Sequence, residues 1–235
     1  MGMRLRVEYE KGQELKYLSH LQMMRLVERV LRRADLPYAL SEGFNPRIKL
    51  SLGTVLPVGI WGLREYFDLE LTSHLESRHF MERAQAAAPM GFRIRRAMSV
   101  PFEVPSLQAQ INTAVYCLVV GDEAGRAEVG EVIQSILEQR ELVVRSRGKK
   151  PREKDLRPGI YQLHGSVLDG RLEVTAVVAS GSSQNVRPDE LVDGLKSRGL
   201  SYEIIDIYRW GNLIKQGDGY RSPLNDEKVE LCSGR

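Results

Sequence analysis

The sequence predicts an α+β fold, and three observations point there. Segments with a two-residue apolar period alternate with segments at helical spacing. The order β, α, β, β, α, β occurs in the first half and again, with an extra hairpin-like insertion, in the second, and a proline-bearing stretch without periodicity, PFEVPSLQAQ, separates the two runs. Strands in that order make a mostly antiparallel sheet with two helices on one face, so the expectation is two tandem ferredoxin-like (βαββαβ) domains.

The elements justify this in order. In MRLRVEYEK, residues 3–11, Leu5, Val7 and Tyr9 alternate with Arg4, Arg6 and Glu8, which predicts a strand with one buried face. A helix follows, with Ser19 as its N-cap and Met23, Leu26, Val27, Val30, Leu31 and Ala34 as its apolar stripe; Pro37 stops it. KLSLG predicts a second strand and EYFDLELT, residues 65–72, a third, with Tyr66, Asp68, Glu70 and Thr72 opposite Phe67, Leu69 and Leu71. Residues 75–88 form a helix ended by Pro89, and GFRIRRAMSV a fourth strand. The second half offers a strand at 112–121, a helix near 126–139, a strand at ELVVRSR, two more at IYQLHGSVL and RLEVTAVVA, a helix opened by Pro188, and a last strand, YEIIDIYRW. The expected organisation is a first domain over 1–100, a linker over 101–110, a second domain over 111–210 and a flexible, polar tail over 211–235.

Composition bounds the function. The chain has 235 residues, 42% apolar and 28% charged, as in ordinary globular proteins. No apolar run approaches the roughly 18 to 20 residues that span a bilayer, and MGMRLRVEYE lacks the apolar centre of a signal peptide, so a cytoplasmic protein without a membrane role is expected. Two cysteines, Cys117 and Cys232, build neither a disulfide framework nor a thiolate cage. The net charge of +3 says little about polyanions, so its distribution has to carry that argument.

Three places could bind or react. On the first helix Arg25, Arg29, Arg32 and Arg33 stand at i, i+4, i+7 and i+8, a basic stripe offset locally by Glu28 and Asp35 alone. In SEGFNPRIKLSLG, Gly43 and Pro46 shape a turn, Ser41 and Asn45 offer hydrogen bonds, and Arg47 and Lys49 face an anion, with Phe44 and Trp61 available for stacking. In VRSRGKKPREKDLRPG, Arg145, Arg147, Lys149, Lys150, Arg152, Lys154 and Arg157 leave a local excess of five positive charges over Glu153 and Asp155, in a loop whose glycine and prolines oppose regular structure. Taken alone, each also fits an ordinary solvated helix face, hairpin turn or loop.

Residues 4–71 carry a resemblance. The series K-G (Lys11, Gly12), LSHL (Leu18, Ser19, His20, Leu21), M-R (Met24, Arg25), RR (Arg32, Arg33), LP, S-x-GFNPR-x-K-x-S (Ser41 to Ser51), P-x-G (Pro57, Gly59) and EY-x-D-x-EL (Glu65 to Leu71) resembles the radical SAM-linked family, a domain of unknown function of type 2344. DLRPGIYQL and VRPDELV look similar to it too, extending the likeness over 3–210; Gln22 stands where an aspartate is usual and Ile48 where a second proline often follows the arginine. The resemblance implies a separate radical SAM protein as partner, with family members often encoded near ribonucleases of the E/G type. This chain has no CxxxCxxC motif, so it is expected to carry no cofactor, with the iron–sulfur cluster and S-adenosylmethionine on the partner.

The expectation is therefore an RNA-binding accessory module working with that enzyme, probing RNA through the basic residues named above and meeting RNA or partner through Ser19, His20, Ser41, Gly43, Phe44, Asn45 and Pro46. A second expectation is a metal-independent endoribonuclease with His20 as general base, Arg25 or Lys49 stabilising the phosphorane and Tyr17 nearby, similar in fold alone to nucleases that process CRISPR repeat RNA. A third is a scaffold that docks the radical SAM enzyme.

Overall fold

A computed structural model of the chain describes residues 2–121, 125–146, 151–224 and 227–231. It is a mixed α+β structure of two compact units, Met1–Ile111 with Gly211–Val229, and Asn112–Trp210 with Glu230–Arg235.

Unit one starts with β1 (Met3–Lys11), α1 (His20–Arg33), β2 (Leu50–Leu52), β3 (Trp61–Leu71), α2 (Ser77–Ala87), β4 (Phe92–Val100) and the short α3 (Leu107–Gln110). β1 is central, antiparallel to β3 on one side (Leu5 opposite Leu69) and to β4 on the other (Val7 opposite Ala97). β2 extends the sheet beyond β3, Leu52 opposite Phe67, giving the order β4-β1-β3-β2. The apolar stripe of α1 lies on one face of this sheet: Met23, Val27, Val30 and Leu31 pack with Phe80 and Ala84 of α2 on Leu5, Val7, Phe67, Leu69 and Phe92. Helical spacing and strand alternation meet in that one layer.

Unit two contains β5 (Thr113–Val120), α4 (Arg126–Glu138), the hairpin strands β6 (Val143–Arg145) and β7 (Glu153–Asp155), β8 (Ile160–Leu168), β9 (Arg171–Ala179), α5 (Pro188–Ser197) and, up to Trp210, β10 (Ile204–Gln216). β9 pairs antiparallel with both β5 and β8, and the order is β10-β5-β9-β8. Val129, Ile133 and Ile136 of α4 and Leu191 and Leu195 of α5 pack on Ala114, Tyr116, Leu118, Val174 and Ala176. The chain then returns to unit one, where β11 (Gly219–Arg221) pairs with the end of β10, Ile214 opposite Arg221.

Four expectations need correction. β1 is buried on both faces: Arg6 and Glu8 are as enclosed as Leu5 and Val7. The arginine forms a two-pronged pair with Asp68 of β3 (Nε to Oδ1 2.8 Å, Nη2 to Oδ2 2.9 Å) and donates onward to the carbonyls of Pro223 (2.9 Å) and Pro105 (3.2 Å). Residues 101–110 are accordingly not a loose linker. Arg4 holds the carbonyls of Pro101 and Val104, while Leu107 and Ile111 join Tyr66 and Leu224 in a second, smaller core. Nor do residues 211–224 form a tail, since β10 continues to Gln216, β11 follows, and Ser222 and Leu224 are buried. Finally, the basic loop over 145–157 is partly regular, because β6 and β7 pair (Arg145 opposite Glu153).

A buried ion pair that loses one member leaves an uncompensated charge, at a cost of about 3–5 kcal/mol. Asp68→Ala is expected to lower the unfolding free energy by roughly that amount in urea titration; a loss below about 1 kcal/mol would contradict the role given to the Arg6 pair.

Candidate nucleic-acid interface

The entrance to α1 is built by family-motif residues. Ser19 caps the helix: its hydroxyl accepts from the Gln22 N–H (3.4 Å), and the Gln22 side chain accepts from the Ser19 N–H (2.8 Å). Lys11 is buried and donates its Nζ to the carbonyls of Leu18 (2.9 Å) and Lys16 (3.3 Å), fixing the turn that feeds the helix. Gly12 lies so close to Gly91 that an added Cβ would stand 3.1 Å from that backbone. Ser19 thus serves the helix start. At the other end Asp35 takes a left-handed φ of 48°, and Arg83 of α2 donates to the carbonyls of Ala34 and Asp35.

This fixed helix presents its basic side to a groove of about 450 Å³. Arg25, Arg29 and Arg33 line it, one helical turn apart, over an apolar floor of Leu18, Leu26, Val30 and Pro89, and among the described residues no acidic side chain belongs to its wall. Arg32 is exposed but does not line the groove. Among the described residues, none of these four arginines is ion-paired. In the segments that frame the groove, Tyr17, Leu21 and Met90 are exposed. The apolar floor escaped sequence reasoning, which followed the charges; the i, i+4 placement of Leu26 and Val30 beside them was the available signal.

SEGFNPRIK forms a projecting hairpin. Ala39 N–H bonds to Glu70 O (2.8 Å), Lys49 N–H to Ala39 O (2.9 Å) and Ser41 N–H to Arg47 O (2.8 Å), while the Ser41 hydroxyl accepts from Arg47 N–H (3.0 Å). Gly43 holds φ at 114°, which only glycine takes without strain; Asn45 does not use left-handed geometry. At the tip, Phe44 is wholly exposed, with Asn45, Pro46 and Arg47 exposed beside it. Lys49 is paired with Glu70 at 3.1 Å, so Arg47 is the available cation of this motif. Trp61 lies half-buried in β3 instead of in a turn.

The basic loop of unit two divides. Lys154 is committed to Glu190 (2.5 Å) and the Asn185 carbonyl, and Arg157 to the carbonyls of Leu137 (3.0 Å) and Ile160 (3.1 Å). Arg145 and Arg152 are exposed. Arg147, Lys149 and Lys150 lie outside the described residues.

His20 opens α1 and lines a small cavity with Lys11, Thr54 and Glu65. That cavity, about 10 Å³, is the space of a single water, and the imidazole has no hydrogen-bond partner among the described residues. Burial lowers its pKa from 6.5, so the ring is neutral where a free histidine begins to charge. The unfolded chain then binds the extra proton first. Its contribution to stability is complete above about pH 6.5 and is lost as pH falls through the folded value. NMR titration is expected to place the His20 midpoint below 6.5, whereas a midpoint above it would contradict the burial.

Comparison with known proteins adds fold and family. The chain is similar to one in a crystal structure of a Cbf5-Nop10-Gar1 complex, with 12% identity and a TM-score of 0.50 over 88% of this chain and 48% of that one. This chain thus spans about half the length of that relative, and at such identity the likeness concerns fold alone. A second structure, provisionally assigned as a glycine cleavage system transcriptional repressor, covers 86% of this chain and 95% of its own at 11% identity, but its TM-score of 0.24 carries no argument. No curated protein matches the sequence. A family profile matches residues 4–188, most of the chain, and the protein therefore belongs to the family described as an uncharacterized protein conserved in bacteria (DUF2344).

Proposed function

We propose that the protein is an RNA-binding accessory module, made of two ferredoxin-like units, that works in the cytoplasm with a separate radical SAM enzyme. The observation that carries the RNA part is the groove of α1. Arg25, Arg29 and Arg33 rise about 6 Å from one to the next along the helix, a step suited to successive phosphates of an extended strand. Guanidiniums without carboxylate partners bind phosphate through charge-assisted hydrogen bonds, and the apolar floor accommodates sugar or base faces. The strand order 4-1-3-2 within each unit supports the ferredoxin-like reading. The enzyme partner, which would bring the iron–sulfur cluster and S-adenosylmethionine, rests on the resemblance of the motif series.

One observation favours a docking role beside this. Phe44 stands fully exposed on a hairpin whose strands are tied to β3, as an aromatic anchor for a protein would. A nuclease reading lacks such support, because among the described residues His20 has no orienting partner, and its cavity has no room for a phosphodiester.

The test is binding of single-stranded RNA, followed by fluorescence anisotropy across salt concentrations. Changing Arg25, Arg29 and Arg33 together to Gln, which keeps helix propensity, is expected to weaken binding and flatten the slope of log K against log[salt] by about 2, near 0.7 per lost contact. Phe44→Ala is expected to leave that slope unchanged and to reduce co-purification of the enzyme. Equal affinity and slope for the triple variant would overturn the RNA reading.

A further inference from the structure

Unit two holds a second pocket, of about 250 Å³, on the sheet face turned away from α4 and α5. Alternation places it there: Tyr116, Leu118, Val174 and Ala176 face the helices, so Cys117, Glu173 and Thr175 face the other way. The register then sets His164 opposite Thr175, Thr175 opposite Cys117, and Ser166 opposite Glu173, a polar band across three strands. Tyr208 of β10 donates to Glu173 Oε2 at 3.0 Å. Trp210, Val167 and Leu231 supply aromatic and apolar wall.

Glu173 is the informative residue. It is 9% exposed, one carboxylate oxygen is engaged by Tyr208, and the other has no partner among the described residues yet is not sealed from the pocket. A carboxylate so enclosed leaves a strong acceptor unmatched. Burial, followed by the nearby charges of Asp169 and Asp206, pushes its pKa up, as expected where a donor is missing. Among the described residues no lysine or arginine lines the space, which disfavours an anion.

We propose that this pocket binds a flat heteroaromatic ring bearing an exocyclic amine, of the adenine or cytosine kind, stacked on Trp210 with its N–H donating to Glu173. Stacking on an indole tolerates any base, so the carboxylate makes the selection. The volume admits one ring system, below the usual range of drug-sized sites. The same chemistry is offered by a free nucleoside and by a base splayed from a single strand.

Fluorescence of Trp210 in the full chain, with Trp61→Phe removing the other indole, reads the site. Adenosine and cytidine are expected to quench it saturably, with uridine at least about tenfold weaker. Glu173→Gln keeps an acceptor for Tyr208 and turns an amide N–H into the pocket, so the preference for cytidine over uridine is expected to vanish or reverse. A merely structural Glu173 would not produce that exchange. A response to nucleosides assigns the site to free ligands, and a response to short oligonucleotides alone assigns it to a base held by a strand; both support the pocket. Silence toward both, equal binding of all bases by the protein that keeps Glu173, or an unchanged cytidine preference in Glu173→Gln, overturns it. The arginine variant of the α1 groove is expected to leave the nucleoside response unchanged, so this test and the RNA-binding test fail separately.

Discussion

The Arg6–Asp68 pair sets the constraint on which unit one depends. A guanidinium placed on the inner residue of a central strand cannot stay solvated once the sheet is covered, and its burial is tolerable because every prong is engaged. Two prongs meet a carboxylate and the others meet backbone carbonyls at Pro105 and Pro223, from segments more than a hundred residues apart. Those carbonyls draw the stretch after β4 and the stretch after β11 against the same sheet face, where Leu107, Ile111 and Leu224 close over Tyr66. Neighbouring Glu8, which accepts from the Tyr66 hydroxyl at 2.7 Å and from Arg64 at 3.3 Å, extends the polar layer. With one sheet face sealed in this way, the other is left to the helices.

That division sorts the family-motif residues by what they do. Lys11, Gly12 and Ser19 aim α1, and Glu70 and Ser41 brace the hairpin. Among the described residues, this bracing leaves the guanidiniums of α1, Arg47 and the ring of Phe44 unengaged. Preorganisation is the physical gain: a helix held at both ends presents three cations at fixed spacing, so a strand that binds them does not have to order the protein as well.

Much of the fold was legible because local patterns carried it. The apolar spacing of Met23, Val27, Val30 and Leu31 marked α1, the Ser19 cap marked its start, and alternation marked the strands. What was hidden depends on partners far away in the chain. Arg6 and Glu8 alternate with apolar residues as a solvated face does, and nothing local says that carbonyls at Pro105 and Pro223 will cover them. Polar composition suggested a tail where β10 and β11 pair, since a strand with one polar side and its turn read alike from composition. Among site residues, charge was visible but its pairing was not. Lys154 and Arg157 proved to be tied to Glu190 and to the end of α4, whereas Arg25, Arg29 and Arg33 remained open. The unit-two pocket was invisible for a further reason: its polar band forms only when β5, β8 and β9 align in register.

The most direct measurement of the central claim is ultraviolet crosslinking of the intact protein to single-stranded RNA, with mass-spectrometric mapping of the modified peptides. The account predicts adducts on the peptides of α1 that carry Arg25, Arg29 and Arg33. Adducts absent from α1, with the strand crosslinked elsewhere on the chain, would contradict it.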